Sequence, residues 1–592
     1  MRRHPVIWLL VCVLAAPLVG CSLFGTDPLE PFRAFADALS RRDAAAAANQ
    51  TDDPASAKAT IDGMFAGMGE GASVRIDVDK ADGDGDGAAT LRYHWTFGTG
   101  RDFGYDTAGT AARDGDDWRI AWSPALLHRD MTGGLNFQYS QDSDLLTPIL
   151  DRTGQPLMTW QNVGVVTLER AHLNYAPDLA GVLSQFDTIT PEWIAAQFDS
   201  TTDAAVTVMK LREDDLAQVS ERLSQIPGVR VQEQGELLTT NRELASPAMG
   251  ELPTVWHDWI TRTAGWSVSL VDPSGAPAQQ LTATPHGPTE PLRTTLDMRL
   301  QLLAQSAVAT ETRPTVLVAI SGSTGGILAA AQNGAADAQG PLAFSGLYPP
   351  GSTFKTITTA AALQAGLVTP DTPVACPGKL TIENRTIPNN DEFDLGTVPM
   401  STAFAKSCNT TMGALADRLP PDALSATARD FGIGVDFVIP GLTTVTGRVP
   451  AADTPAQRVE NGIGQGSVTV TPFGLAVAEA SLAHGATITP GLIDGEKTTA
   501  DTPSVPLAGD VVDALRAMMR LTVTEGTATA LNDIDGLGGK TGTAEFGDNT
   551  QAHGWFAGIA GDIAFATLVV GGNESTPAIS VSGDFLRPAL AG

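Results

Sequence analysis

Three rhythms of apolar residues run along this chain, and each predicts a different element. In FRAFADALSRRD and AKATIDGMFAGM, apolar side chains recur at three- and four-residue spacing, which predicts two amphipathic helices. SVRIDVD and AATLRYHWTF alternate instead, as half-buried strands do, and DDWRIAWSP adds another strand. Between the first two strands stands DGDGDG, from Asp82 to Gly87. Asp82, Asp84, Asp86 and Gly87 match the opening of a calcium loop, but the twelfth position is Tyr93, where a bidentate glutamate is required. A hairpin turn is the better reading.

Further along, ILDRTGQPLMT and GVRVQE read as strands and REDDLAQVSERLSQI as a helix. Pro285, Pro288 and Pro291 mark a linker. TTLDMRLQLLAQSAVAT then predicts a helix capped by Thr295 or Asp297. PTVLVAISGSTGGILAAAQ predicts two strands about a Gly-Ser-Thr-Gly turn. GLGGKTGTAEF, AHGWFAGIAG and IAFATLVVGG add three strands near the C-terminus. The pattern predicts an α+β multidomain chain: a small α+β domain over 21–131, a second segment over 135–285, and a third over 291–592 with a central antiparallel sheet flanked by helices.

At 592 residues the chain is too long for one core, which fits this division. Its net charge of -30 argues against nucleic acid, whose phosphates it would repel. The first residues, MRRHPVIWLLVCVLAAPLVGC, pair Arg2 and Arg3 with an apolar run too short for the ~20 residues of a membrane span. Residues 1–20 are therefore expected to be an export signal. Leu18-Val19-Gly20-Cys21 resembles the bacterial lipobox, which would make Cys21 a lipidated residue anchored in the cytoplasmic membrane. The competing reading is an uncleaved signal anchor. Either way the body of the protein is expected on the extracytoplasmic face. Only Cys376 and Cys408 remain beyond that segment. An exported pair can bridge, contributing about 3–4 kcal/mol by the chain-entropy argument, or stay as two thiols. No metal-ligand spacing is present, and no cofactor is expected.

The candidate chemistry begins at YPPGSTFKTITTAAALQAG, which sets Ser352 and Lys355 three residues apart behind a Pro-Pro-Gly break. A serine hydroxyl needs a base, and a lysine of lowered pKa can serve. On a helix the two would share a face within hydrogen-bonding reach. The amides at that helix start would attract developing negative charge. Alone this pairing is weak, since an exposed helix face explains it as well. KSCNTTMGAL adds Ser407 and Asn409, two polar groups able to enter one cleft, although a helix cap explains them equally. GGKTGTAEF adds Lys540, Thr541, Gly542 and Thr543 on a strand whose glycines allow close approach of a ligand. A phosphate loop is excluded, because Ile534 stands where it needs glycine.

Taken in this order, Ser-x-x-Lys, Ser-x-Asn and Lys-Thr-Gly resemble the signature of penicillin-binding proteins and β-lactamases. TTLDMRLQLLAQSAV, GIGQGSVTVTP and LRAMMRLTVTEGTA resemble class B transpeptidase segments. The segment before Pro291 resembles that class's pedestal, and Pro28–Met131 its nuclear-transport-factor-like domain. With the lipobox, the whole resembles the actinobacterial penicillin-binding lipoproteins. The chain departs from the family's Arg-Gly-x-Ile-x-Asp-Arg run at Leu146-Thr147, ahead of Ile149 and Asp151-Arg152, which puts the packing of the pedestal in question.

The resemblance implies a D,D-transpeptidase acting on peptidoglycan stem peptides that end in D-Ala-D-Ala. Ser352 would be the nucleophile, Lys355 its base and Ser407 the proton relay. Asn409 would hold the peptide, with Lys540, Thr541 and Thr543 on its carboxylate. The backbone N–H groups of Ser352 and Thr543 would form the oxyanion site. β-Lactams would stall the enzyme as acyl adducts, and a membrane glycan polymerase is an implied partner. A Cys376–Cys408 bridge would brace the loop at Ser407. His553 and Trp555 are expected as strand packing more than as cleft lining. The rivals are a β-lactamase, for which no Glu-x-x-Leu-Asn segment occurs, a D,D-carboxypeptidase, and a non-enzymatic β-lactam sensor or scaffold.

Overall fold

The computed structural model describes residues 27–81, 87–115, 117–383, 385–547 and 550–591. The expected signal segment, Cys21 and residues 82–86 of the DGDGDG turn lie outside them. The chain forms two compact units: residues up to 144 together with 263–288, and residues 145–262 together with 289 onward.

In the first unit, helices Glu30–Ser40 and Pro54–Met68 form where the three- and four-residue rhythm predicts them. Asp53 accepts a hydrogen bond from the Ser56 N–H and caps the second, with Pro54 at its first position. Ser73–Lys80, Ala88–Thr96, Asp102–Asp114 and Asp117–Ile120 follow in order as a four-stranded antiparallel sheet. Along its second strand, Leu91, Tyr93 and Trp95 turn inward onto Phe32, Phe35, Ile61 and Met64.

This unit also takes in residues beyond 131. Asn136–Asp142 pairs with Gly265–Val271, which pairs in turn with Pro277–Thr284. Phe137, Trp266, Val268 and Leu270 from this sheet join the same core as the helices. Burial of Trp266, Val268 and Leu270 is what ties 263–288 to this core.

In the second unit, the long strand Pro156–Glu169 pairs antiparallel with Ile149–Leu150, Ala205–Arg212 and Val229–Thr239. The run expected as one strand, ILDRTGQPLMT, is a tight hairpin. Asp151 Oδ1 accepts from the N–H groups of Thr153 and Gln155, and Gly154 turns the chain at φ +90. Its Oδ2 accepts from the Met298 N–H at 3.2 Å, at the start of helix Met298–Val308. Where the chain departs from the family run, Leu146 is 79% exposed, and the buried Thr147 hydroxyl has no hydrogen-bond partner among the described residues.

The centre of the second unit is a five-stranded antiparallel sheet, ordered Ile327–Gln332, Thr315–Ser321, Ile563–Val569, Gln551–Ala560, Gly538–Phe546. Asp297 caps helix Met298–Val308, while the Thr295 hydroxyl donates to the carbonyls of Ile327 and Gly491. That helix and Thr576–Leu590 cover one face of the sheet. Helix Pro472–His484, buried nearly all round, covers the other. It carries Glu479, which is 1% exposed and has no hydrogen-bond partner on either carboxylate oxygen among the described residues. Burial pushes that carboxyl up to about 8. Gly538–Phe546 is the last strand of the sheet, with Lys540, Thr541 and Gly542 buried and Thr543 exposed. Among the described residues no helix is long and apolar enough to cross a membrane, and no cluster of side chains forms a metal site.

Candidate active site

Ser352 lies in a 3-10 turn, Gly351–Phe354, that leads into the buried helix Lys355–Gln364. Several bonds fix this turn. The Trp555 indole N–H donates to the Pro349 carbonyl at 2.9 Å, and the Thr353 hydroxyl donates to the Pro350 carbonyl at 2.7 Å. Gly351 has φ +52, and a Cβ there would stand 2.4 Å from the Thr543 carbonyl. A Cβ on Gly542 would meet Pro350 O and Thr353 Cγ2, both at 2.8 Å. The two glycines let the nucleophile turn and the edge strand touch backbone to backbone.

Lys355 is fully buried. Its Nζ lies 2.7 Å from the Ser407 carbonyl, 3.1 Å from Ser407 Oγ and 2.5 Å from Asn409 Oδ1. Lys540 Nζ approaches the same Ser407 Oγ at 3.0 Å and the Thr541 carbonyl at 3.0 Å, with the Phe404 ring 5.8 Å away. One hydroxyl thus joins the two lysines, and the three sequence clusters form one site. The expected direct bond is absent: among the described residues, none links the Ser352 hydroxyl to Lys355. An amine has three hydrogen-bonding directions, and Ser407 and Asn409 occupy them all.

Burial, then the neighbouring Lys540 charge, holds the Lys355 amine well below the usual lysine range. Burial also lowers Lys540, to about 7. The like pair therefore favours a neutral Lys355, the form that can accept a proton. Ser407 stands at φ +61, a left-handed conformation that costs a non-glycine residue on the order of 1–3 kcal/mol. Thr541 Oγ1 lies 2.6 Å from Thr527 Oγ1, and the Thr543 side chain is exposed.

Two residues the motifs do not contain complete this geometry. Asn389, 1% exposed, accepts from the N–H groups of Asn409 and Thr410 and so caps the helix that starts at Asn409. Its signal in the sequence is slight, because TIPNNDEF carries no apolar rhythm. Thr527 lies within TEGTA, part of a stretch that already resembled the family. Cys376 and Cys408 are joined as a disulfide beside Asn389. His553 stacks on Phe546 at 4.2 Å, its edge faces Tyr348, and burial lowers it to about 4. Trp555 is fully buried. Both are packing residues, Trp555 with a hand on the nucleophile turn.

The family description "Penicillin binding protein transpeptidase domain" matches residues 315–591, which hold all three motifs. "NTF2-like N-terminal transpeptidase domain" matches residues 27–134. The chain thus carries a penicillin-binding protein transpeptidase domain behind an NTF2-like domain. The chain is similar to the peptidoglycan D,D-transpeptidase PbpA of Mycolicibacterium smegmatis, with 33% identity over 268 residues, 40% of this chain and 53% of that protein. The match spans about half of that relative's length. A longer match joins it to the peptidoglycan D,D-transpeptidase MrdA of Acinetobacter baumannii, 25% identical over 70% of this chain and 75% of that one. Among solved structures, the complex of PBP2 with MreC from Helicobacter pylori aligns at TM-score 0.58 and 18% identity. It covers 77% of this chain and 99% of that one, a likeness of fold.

Proposed function

We propose that this protein is a serine D,D-transpeptidase that cross-links peptidoglycan stem peptides ending in D-Ala-D-Ala. One observation carries the reading: a buried lysine amine, disposed to be neutral, one hydroxyl away from a second lysine, beside a serine held at a fixed turn. In the resting site Lys355 is engaged by Ser407 and Asn409. Its longest contact, 3.1 Å to Ser407 Oγ, is the one to release when it takes the Ser352 proton.

Ser352 Oγ then attacks the penultimate carbonyl. The stem peptide lies along Gly538–Phe546, with its terminal carboxylate toward Lys540, Thr541 and Thr543. The developing oxyanion rests on the N–H groups of Ser352 and Thr543, where losing one donor costs about 3–4 kcal/mol. The proton passes through Ser407 to the departing D-Ala amine, and the ester waits for an amine from a neighbouring stem. The same ester forms with β-lactams. We further infer that the chain is anchored through Cys21 on the extracytoplasmic face of the membrane. There its glycan strands would come from a separate polymerase.

Intact-mass measurement after exposure to benzylpenicillin, on the wild type and on Ser352→Ala, tests the proposal. A lasting adduct on the wild type alone is expected. Rapid loss of the adduct would make this a β-lactamase, and no adduct a scaffold. Release of D-Ala without cross-linking, in a peptide assay with an amine acceptor, would make it a carboxypeptidase.

A further inference from the structure

Asn389 sits in the strap between the disulfide cysteine Cys376 and the Ser407 turn, and its side chain uses both of its ends. Oδ1 accepts from the Asn409 N–H at 2.8 Å and the Thr410 N–H at 3.1 Å. Nδ2 donates to the carbonyls of Pro377 at 2.9 Å and Phe393 at 2.8 Å. Its own N–H donates to the Gly378 carbonyl at 3.0 Å. The strap returns the grip: Asn409 Nδ2 donates to the Pro388 carbonyl at 2.9 Å.

What this clamp holds is the strained part of the site. Ser407 keeps a left-handed backbone, and that conformation aims its carbonyl at the Lys355 amine. A left-handed serine persists only where its surroundings over-determine it. Downstream of it, the helix-start amides of Asn409 and Thr410 need an acceptor, and Cys408, at the cap position, supplies no side-chain bond. Asn389 supplies it from 20 residues away along the chain.

We propose that Asn389 is a positioning residue for acylation, holding the Ser407–Asn409 turn so that its carbonyl, hydroxyl and amide oxygens frame the Lys355 base. This rests on the reading of Ser352 as the nucleophile and adds to it a residue outside all three motifs. The consequence is specific. Three acceptors around an amine favour its protonated form. A turn that drifts removes two or three of them, so the amine protonates less readily and also stands less well aligned. The charged groups near it leave this sign intact. Lys540 on the edge strand disfavours the ammonium in either state. Lys406 is committed to the Glu525 carbonyl, and Arg385 to Glu460.

The test uses the full chain and a fluorescent penicillin, with the second-order acylation rate followed from pH 5 to 9 at 20 °C and melting curves taken in parallel. Asn389→Ala is expected to lose about 10²-fold in rate at its optimum, as misplaced catalytic groups do. The acid limb of its profile is expected to move to lower pH, by about 0.5 or more on the pH scale. Asn389→Asp keeps an acceptor for the two amides and gives up the donors, so it should keep more of the rate than Ala. The position of the acid limb does not depend on how much protein is folded, which separates this role from simple stabilisation. An unchanged rate, or a slower rate with the wild-type limb, overturns the inference. A wild type that penicillin does not label at Ser352 overturns the functional reading instead.

Discussion

Replacing Glu479 by Gln should stabilise the protein, and by more as the pH rises. In the folded state its carboxyl is pushed up from the ordinary 4.5 to about 8 by burial alone, with no partner on either oxygen among the described residues. Between those two values the folded chain keeps a proton that the unfolded chain has released. Stability therefore falls as pH rises through this window, levels off above 8, and is unaffected below 4.5. A tenfold difference in proton affinity between the folded and unfolded chains is worth about 1.4 kcal/mol. From pH 5 to pH 8 the wild type thus loses on the order of 3 kcal/mol that a glutamine would not lose. For a unit of this size that is roughly 3–4 °C in Tm. The assay is differential scanning calorimetry of both proteins across that range, at fixed ionic strength and scan rate. A Tm difference that stays constant with pH would refute the reasoning. It would mean that the carboxyl finds a partner or water in the folded state and keeps an ordinary pKa.

Three further outcomes follow from the site. Lys355→Arg should lower penicillin acylation by about 10²–10⁴-fold across pH 6–9, because a guanidinium cannot give up its proton. A stopped-flow profile that keeps its wild-type height would exclude Lys355 as base. Gly542→Ala places a methyl 2.8 Å from the Pro350 carbonyl and Thr353 Cγ2, so acylation should drop at least about tenfold with the far-UV spectrum unchanged; wild-type kinetics would show that the turn yields freely. Thiol titration of the unreduced, denatured protein should find Cys376 and Cys408 unreactive, and their reduction should cost about 3–4 kcal/mol of stability in urea. Labelling of Cys376 and Cys408 without prior reduction would rule out the bridge.

Much of the second unit was legible because its strands are continuous apolar runs bounded by turn residues. TVLVAIS and IAFATLV can be little else, and they form adjacent strands of the sheet. Asp102–Asp114 was not legible: DFGYDTAGTAARD holds two glycines and three aspartates, and only Phe103 and Thr107 are buried. Its pairing is dictated by neighbours on both sides. The three motifs foretold which residues meet, yet local spacing misjudged how. Ser352 and Lys355 share a turn, but the amine answers to Ser407 and Asn409, more than fifty residues away in sequence. Asn389 escaped notice for a related reason, since a loop residue acts through bonds that no periodicity records.

The path of the backbone between the two units also bears on how the protein is made. The chain crosses from one unit to the other three times, after 144, after 262 and after 288. Asn136–Asp142 waits for a strand that is not synthesised until Gly265–Val271, and Trp266, Val268 and Leu270 are missing from the first core until then. A chain emerging N-terminus first cannot close its leading unit until the whole of 145–262 has followed it out. The first unit to begin folding is thus obliged to finish after the opening segment of the second, 145–262, has already appeared.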